Sequence, residues 1–217
     1  MLSAETVFTF LTASLLLGLA PGPDNIFVLA QSTLHGRTAG LVVMLGLCTG
    51  LVAHSMIVAF GAAAIFQSSA LAFSLLKFSG AAYLVYLAWQ MFRAKPASLS
   101  EGVYSGPGRA ELYRRGIIMN ITNPKVSIFF LAFLPQFADP ARGSVTMQLI
   151  LLGGLFIIAT ILVFGTVAIM AGNLRTWLMR SDRAQNMLNR LAGIVFIGLA
   201  ARLASMGFAG IPDDGSR

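Results

Sequence analysis

The sequence predicts an all-α polytopic membrane protein with six transmembrane helices. They form two inverted three-helix repeats, in which helices 1 and 4 are broken at mid-membrane. Three observations predict this fold. Hydrophobic residues make up 57% of the 217 residues and charged residues only 11%, whereas soluble domains carry about 25% charged residues. Apolar runs long enough to cross a bilayer recur along the chain. Two of these runs contain proline-centred interruptions, which a continuous helix does not tolerate.

Six apolar spans follow one another, separated by short polar segments. Each is near the roughly 20 residues that a membrane helix needs. The spans are about 6–31, 39–66, 71–92, 115–137, 145–171 and 188–208. The longest connector, Arg93 to Arg115, is rich in glycine, proline and basic residues, and we expect it to be an exposed loop. We therefore expect one transmembrane domain over 1–217, with repeat one at about 6–92, a loop at 93–114 and repeat two at about 115–208.

The first span is interrupted by Pro21, Gly22 and Pro23, and Asp24 and Asn25 follow directly. Each proline lacks an N–H, and its ring clashes with the preceding helical turn. Asp24 would lie near the bilayer centre, where a charge costs roughly 3 kcal/mol on insertion scales. A break and a charge at this depth indicate a membrane transporter whose substrate site lies at mid-membrane.

The fourth span contains a matching break at Asn123, Pro124 and Lys125. A second match supports the repeat, because a basic-x-x-glycine-x-x-aromatic pattern opens both helix 3 at Lys77 and helix 6 at Arg190. Three crossings are an odd number, so the second copy must be inverted in the membrane. Corresponding broken helices in inverted halves are the sequence feature that best indicates a transporter's binding site.

The basic residues lie mainly in loops on one side of the predicted bundle. That side would hold ten of the fifteen Lys and Arg residues: Arg37, Arg93, Lys95, Arg109, Arg114, Arg115, Arg175, Arg180, Arg183 and Arg190. The opposite side would hold Lys77, Arg142, Arg202 and Arg217. The bias predicts that the ten face the cytoplasm and that both termini lie outside. Basic residues spread over short loops do not form the stripe typical of nucleic-acid binding, so no nucleic-acid partner is expected.

Asp24 and Lys125 bring opposite charges to the two breaks. A helix that restarts after Pro23 or Pro124 presents free N–H groups and a positive dipole end, which suit a carboxylate. Asp24 can take a substrate ammonium or a coupling proton, while Lys125 can balance Asp24 or hold a carboxylate. Together these groups would recognise an α-amino acid zwitterion. The alternatives are that Asp24 only caps the restarted helix and that Lys125 extends towards the membrane surface.

Other polar residues within the spans carry weaker predictions. We expect Asn25, Asn120 and Asn123 mainly to satisfy the broken backbone, and contact with the ligand is the alternative. The candidate substrate-binding residues are those of the two breaks: Pro21, Gly22, Pro23, Asp24, Asn25, Asn123, Pro124 and Lys125. Asn120 is a candidate for lining the cavity. His54 is a candidate proton carrier, although a lone histidine in a membrane helix more often makes an interhelical hydrogen bond. Tyr83 belongs to an aromatic stripe on helix 3 that is expected to pack, and it is a second cavity-lining candidate.

The remaining features favour a transporter over an enzyme. Gly46 and Gly50 have the spacing of a close helix contact. Cys48 is the only cysteine, which excludes an intramolecular disulfide. No motif of a hydrolase, a metalloprotease or an ATP-binding loop occurs in the sequence. We therefore expect a protein that is not an enzyme, needs no cofactor or bound metal and lies in membrane lipid, and the sequence leaves a homo-oligomer open.

Four motifs extend over nearly the whole chain, from about Phe8 to Leu203. They are Ala20 to Asn25, Gly36-Arg37-x-x-Gly40, Lys77 to Leu87 and Asn120 to Phe137. Together they resemble the LysE/RhtB family of amino-acid exporters (LysE-type translocators). The resemblance implies a multi-pass permease of the bacterial inner membrane that exports amino acids or close derivatives and is driven by the proton gradient.

Members of that family handle basic amino acids or neutral ones such as threonine, homoserine or leucine. Some members carry an acidic residue in helix 2, and the segment around His54 has none. This departure favours a neutral substrate. The alternatives are export of a basic amino acid, or a permease for a metal cation or another small solute with the same fold.

Overall fold

The computed structural model describes residues 2–20, 22–68, 70–93, 108–171 and 182–205, and these residues form an all-helical bundle. Its eight α-helices in the described residues are α1 (Ala4–Leu19), α2 (Pro23–His35), α3 (Arg37–Ser68), α4 (Ala70–Arg93), α5 (Arg109–Thr122), α6 (Pro124–Ile128), α7 (Val145–Ile169) and α8 (Asp182–Ser205). The prediction of an all-α protein is confirmed.

Within the described part of the chain, two helices are long and apolar enough to cross a membrane by themselves, namely α3 over Arg37–Gly61 and α7 over Val145–Ile169. Two further spans arise if each bent pair counts as one crossing. The pair Ala4–Leu19 and Pro23–His35 is bent by 61°, and the pair Arg109–Thr122 and Pro124–Phe137 is bent by 51°. Each bend occurs where a proline begins the second helix of its pair. The chain is therefore a polytopic membrane protein with two broken helices.

Side chains of α1 and the segment after α6 form the centre of the core. This segment continues α6 as a π-helical turn over Phe129–Phe133 and a 3-10 turn over Leu134–Phe137. Its rings pack closely on one another and on two further phenylalanines, so that the cluster contains Phe10, Phe129, Phe130, Phe133, Phe137 and Phe156. All six side chains are buried. The cluster fixes the second broken helix against the first half of the other one.

Helices α3 and α5 run parallel and approach closely through glycine. Gly46 on α3 lies against Gly116 on α5, and four residues later Gly50 lies against Asn120. From the first contact to the second, the residue numbers rise on both helices, so the helices run in the same direction. A Cβ on Gly46 would lie 3.0 Å from the Gly116 Cα, so only glycine permits this approach. The expected close contact at Gly46 and Gly50 is present.

Helices α3 and α7 run antiparallel. Gly40, near the start of α3, lies beside Ala168 near the end of α7, whereas Ser55 in the second half of α3 packs on Gly153 near the start of α7. Helix α5 runs in the same direction as α3, and α7 runs in the opposite direction. The bent segment from α5 to Phe137 therefore crosses the bundle once and does not turn back.

Two helices begin earlier than the sequence predicted. The connector from Arg93 to Arg115 was expected to be a loop, but α5 begins at Arg109, and its first turns include a Glu111–Arg115 ion pair of 2.5 Å. Likewise α8 begins at Asp182, before the predicted start at 188. Polar turns extend these helices beyond the apolar spans, so a hydropathy pattern does not detect them. The central part of the connector, 94–107, lies outside the described residues.

Gln148 holds the turn between the second broken helix and α7. Its side chain is 2% exposed. The Nε2 atom donates to the carbonyls of Asp139 (2.8 Å) and Gly143 (3.2 Å), and the Oε1 atom accepts from the Asp139 amide at 3.0 Å. These bonds replace the missing regular backbone partners of the turn.

We expect Gln148→Ala to destabilise the purified protein by about 1–3 kcal/mol, because it leaves buried backbone groups of the turn without partners. The measurement is the midpoint of thermal unfolding in detergent. Met147→Ala is the matched control, since the Met147 side chain next to it is 57% exposed. Equal midpoints for the two variants would contradict this role of Gln148.

Candidate functional site

The first break exposes the carbonyl end of α1 inside the protein. Helix α1 ends at Leu19, and Gly22 precedes α2 in an extended conformation. The Asn25 Nδ2 atom donates to the Gly18 carbonyl at 2.8 Å. The Lys125 Nζ atom, from the other broken helix, donates to the carbonyls of Ala20 at 3.2 Å and Leu17 at 3.4 Å. Side chains thus satisfy carbonyls that a continuous helix would have paired with backbone amides. Pro21 lies outside the described residues.

The second break is capped by Asn123. The Asn123 Oδ1 atom accepts from the backbone amide of Lys125 at 3.0 Å, which caps α6 ahead of Pro124. The Nδ2 atom of the same side chain donates to the Asp24 Oδ2 atom at 2.8 Å. One amide therefore closes its own helix end and connects the second break to the first.

The two breaks bind each other reciprocally. Asp24 and Lys125 are each the second residue of a helix that restarts at proline, Pro23 and Pro124 respectively. The Asp24 carboxylate reaches the second break through Asn123, and the Lys125 ammonium reaches the carbonyls of the first. The acid thus accepts from a donor of the other broken helix, and the base donates to acceptors of the other broken helix.

Asp24 is buried and incompletely paired. Its side chain is 3% exposed, and its Oδ1 atom is buried without a hydrogen-bond partner among the described residues. The N-cap of α2 is Gly22, which has no side chain, and Asp24 lies in the first turn, where the helix dipole favours a carboxylate. A buried carboxylate oxygen without a partner costs free energy, and such groups require an explanation.

Lys125 is buried as well, with 8% of its surface exposed. It therefore does not extend to the membrane surface, which was the alternative for this residue. The Asp24 carboxylate and the Lys125 ammonium attract each other, but they do not form an ion pair closer than 4 Å. In the described residues such pairs join Glu111 to Arg115 and Asp139 to Arg142. The Lys125 ammonium donates instead to backbone carbonyls of α1.

His54 and Asn120 lie next to the second break. The His54 Nε2 atom is 3.4 Å from the Asn120 carbonyl oxygen, and the His54 ring packs on Phe130 at a centroid distance of 5.6 Å. His54 thus makes an interhelical contact of the kind that was the commoner expectation. The Asn120 Oδ1 atom is buried and meets no hydrogen-bond partner in the part of the chain that the structure describes. It would lie 2.6 Å from a Cβ on Gly50, so glycine is needed at that position to make room for the amide.

Tyr83 belongs to the aromatic stripe of α4. It packs against the main hydrophobic core and lies 5.8 Å, ring to ring, from Tyr86. Tyr86 stacks in turn on Trp89, and the Arg93 guanidinium lies over the Trp89 ring. Since Tyr86 and Trp89 are about half exposed, the outer part of this stripe faces the surroundings of the bundle, as aromatic side chains near a membrane surface commonly do.

Sequence reasoning missed the backbone of α1 as part of the site. The carbonyls of Leu17, Gly18 and Ala20 accept hydrogen bonds from Lys125 and Asn25. A signal for them was present, because a helix that ends ahead of prolines leaves its last carbonyls without amide partners. Asking which donors could satisfy those carbonyls would have indicated Lys125 and Asn25.

The family model described as "LysE type translocator" matches residues 15–207. The chain is 35% identical over 201 residues to a homoserine/homoserine lactone efflux protein of Salmonella typhimurium, covering 93% of this chain and 97% of the relative. It is 33% identical over 196 residues to an uncharacterized membrane protein of Vibrio cholerae, covering 90% and 95%. It is 26% identical over 207 residues to the uncharacterized membrane protein YrhP of Bacillus subtilis, covering 91% and 98%. No solved structure matches the chain significantly. The chain therefore belongs to the LysE-type translocator family of membrane transporters.

Proposed function

We propose that this permease exports a neutral amino acid or a close derivative, homoserine and its lactone being the first candidates, across the bacterial inner membrane in exchange for protons. The observation that carries the proposal is the Asp24 Oδ1 atom, a carboxylate oxygen that is buried at the break of a membrane helix and has no partner among the described residues. The amino group is the one cationic group that homoserine and its lactone share. The name of the Salmonella typhimurium relative supports these two substrates.

The proposed substrate site lies between the two breaks. Asp24 takes the ammonium group, and Asn123 orients the carboxylate through its 2.8 Å hydrogen bond. The first turn of α2, which begins at Pro23 and lacks a side-chain cap, offers its free N–H groups to the substrate's carboxylate or lactone carbonyl. Gly22, Asn25, Pro124 and Lys125 complete the walls, and a Cβ on Gly22 would lie 3.1 Å from the Lys125 Nζ atom.

Proton coupling follows from competition for Asp24. A carboxylate at this depth is costly when it is charged and unpaired, so it holds either the substrate ammonium or a proton. Release of the substrate outside is then linked to protonation of Asp24, and proton release inside prepares Asp24 for the next substrate. His54 is the second candidate for carrying the proton, because its ring contacts Asn120 where α3 packs on α5.

Six crossings in two inverted repeats remain our proposal for the membrane arrangement, with both termini outside. The parallel course of α3 and α5 and the antiparallel course of α3 and α7 support it, because an alternating bundle of six spans requires both relations. The packing of α3 on α7 and of α4 on α8 also supports it, since these pairs join equivalent helices of the two halves.

Counterflow in proteoliposomes tests the proposed function. Purified protein is reconstituted, loaded with unlabelled homoserine and assayed for uptake of labelled homoserine, homoserine lactone, threonine, leucine, lysine and N-acetylhomoserine. We expect exchange of homoserine and its lactone, and none of N-acetylhomoserine, which lacks the ammonium group. An imposed pH gradient should drive homoserine against its concentration. Exchange of lysine alone, or of no amino acid, would contradict the proposal.

A further inference from the structure

The end of α1 forms a cluster of oxygen atoms around a single cation, the Lys125 ammonium. The C-terminal end of a helix carries a partial negative charge, and here its carbonyls of Leu17 and Ala20 lie 3.4 and 3.2 Å from the Lys125 Nζ atom. The intervening Gly18 carbonyl is already satisfied by Asn25. The ammonium thus lies at a helix end where its charge is stabilised.

One side-chain oxygen with unused capacity adjoins this position. The Asn25 Oδ1 atom is buried and has no hydrogen-bond partner among the described residues. A Cβ placed on Gly22 would be 3.1 Å from the Lys125 Nζ atom and 3.8 Å from the Asn25 Oδ1 atom. The amide oxygen and the ammonium therefore lie on the same side of Gly22, next to the carbonyls of α1.

Carbonyl, amide and carboxylate oxygens are the ligands that hard metal cations prefer. In transporters with broken helices, unwound backbone carbonyls and half-helix C-terminal ends coordinate the coupling Na⁺. The break after α1 presents this set of groups, and a tethered ammonium occupies the place that such an ion would take.

We propose that Lys125 fills a monovalent-cation site formed by the carbonyls of Leu17 and Ala20 with the side-chain oxygen of Asn25. The wild-type protein then needs no bound Na⁺, because its own lysine supplies the charge. Shortening the side chain opens the same site to Na⁺. The part of this inference that concerns transport rests on the proposed function, whereas cation binding does not depend on which solute is exported.

A direct role for Lys125 in binding a substrate carboxylate makes a different prediction. In that case Lys125→Ala would impair export of homoserine and spare its lactone, which has no carboxylate, and Na⁺ would restore neither. If Lys125 instead fills a cation site, the variant impairs both substrates equally and Na⁺ restores both.

The experiment uses the full-length protein with Lys125→Ala, and Lys125→Met as the matched variant that keeps the volume without the charge. Thermal unfolding is measured in NaCl and in choline chloride at equal ionic strength. We expect the midpoint of Lys125→Ala to rise with the logarithm of the Na⁺ concentration once this exceeds the dissociation constant, and by about 3–5 °C at ten times that constant. The wild type and Lys125→Met should show no difference between the two salts.

Homoserine counterflow supplies the second measurement. Wild-type exchange should be equal in Na⁺ and in choline, and Lys125→Ala should regain exchange only in Na⁺. A Na⁺ requirement of the wild type would overturn the proposal, even where Lys125→Ala cannot be purified. A folded Lys125→Ala that responds to Na⁺ no more than Lys125→Met does would also overturn it. If the wild type exchanges no amino acid, the proposed function fails, while the Na⁺-dependent shift of the unfolding midpoint still decides the cation site.

Discussion

Asp24→Asn should lower homoserine export at least about tenfold while leaving the protein folded. The substitution removes the charge that we propose to pair with the substrate ammonium, and a hydrogen bond to a charged group is worth about 1.5–3 kcal/mol, or roughly tenfold to a hundredfold in rate or affinity. The shape of the side chain is unchanged, and an asparagine Oδ1 atom can still accept the 2.8 Å bond from Asn123. The measurement is counterflow of labelled homoserine in proteoliposomes.

Asp139→Asn is the matched control, because it makes the same change at an acid that lies far from the breaks. Asp139 pairs with Arg142 at the turn before α7, and its side chain is 49% exposed. We expect normal export from this variant and similar unfolding midpoints for both. Normal export by Asp24→Asn would show that Asp24 neither binds the substrate nor carries the proton. An equal loss of export in both variants would show that the loss is not specific to the acid at the break.

The two breaks were predictable from sequence because their causes are local. Proline removes an amide wherever it occurs, and Asp24 or Lys125 within an apolar run is conspicuous in any such chain. The hydrogen-bond partners were not predictable in the same way. That Asn123 rather than Lys125 contacts Asp24 depends on how two helices cross, and the crossing is set by residues far away in the sequence.

The helix ends show a second limit. Apolar runs locate the membrane-embedded part of α5 and α8, but each helix continues over polar turns that no hydropathy window includes. Local pairs such as Glu111 and Arg115 stabilise such turns. The turn held by Gln148 was missed for another reason. Its hydrogen bonds run back to Asp139 and Gly143, and nothing in the composition of that segment distinguishes this glutamine from an exposed one.

The contact between α3 and α5 determines where the second break lies. Gly46 meets the backbone of α5 at Gly116, and Asn120 and Asn123 follow within two turns on the same helix. A displacement of α5 at Gly116 would therefore move Asn120 away from His54 and Asn123 away from Asp24. A substitution remote from the charged residues is thus expected to disturb the site as well as the fold.

Gly46→Ala should lower both stability and export, although alanine is the better helix former. In a helix interior, replacing glycine by alanine gains about 1 kcal/mol from propensity alone. At Gly46 the added methyl group would collide with the Tyr113 carbonyl oxygen and lie 3.1 Å from the Ile117 amide nitrogen. Backbone atoms cannot move aside as a flexible side chain can, and overpacking costs about 1–3 kcal/mol. The collision outweighs the gain in propensity, so we expect a lower midpoint of thermal unfolding and a reduced rate of homoserine exchange.

Gly154→Ala on α7 makes the opposite prediction and isolates the cause. A Cβ on Gly154 would have no heavy atom within 4 Å, so only the gain in propensity applies and the midpoint should stay or rise. At this chain length each kcal/mol of stability shifts the unfolding midpoint by about 2–4 °C. The midpoints of the two variants should therefore differ by a measurable amount. If Gly46→Ala were as stable and as active as Gly154→Ala, α3 and α5 could not be in contact at Gly116. The position of the second break, and with it the contact between Asn123 and Asp24, would then not depend on the glycines of α3.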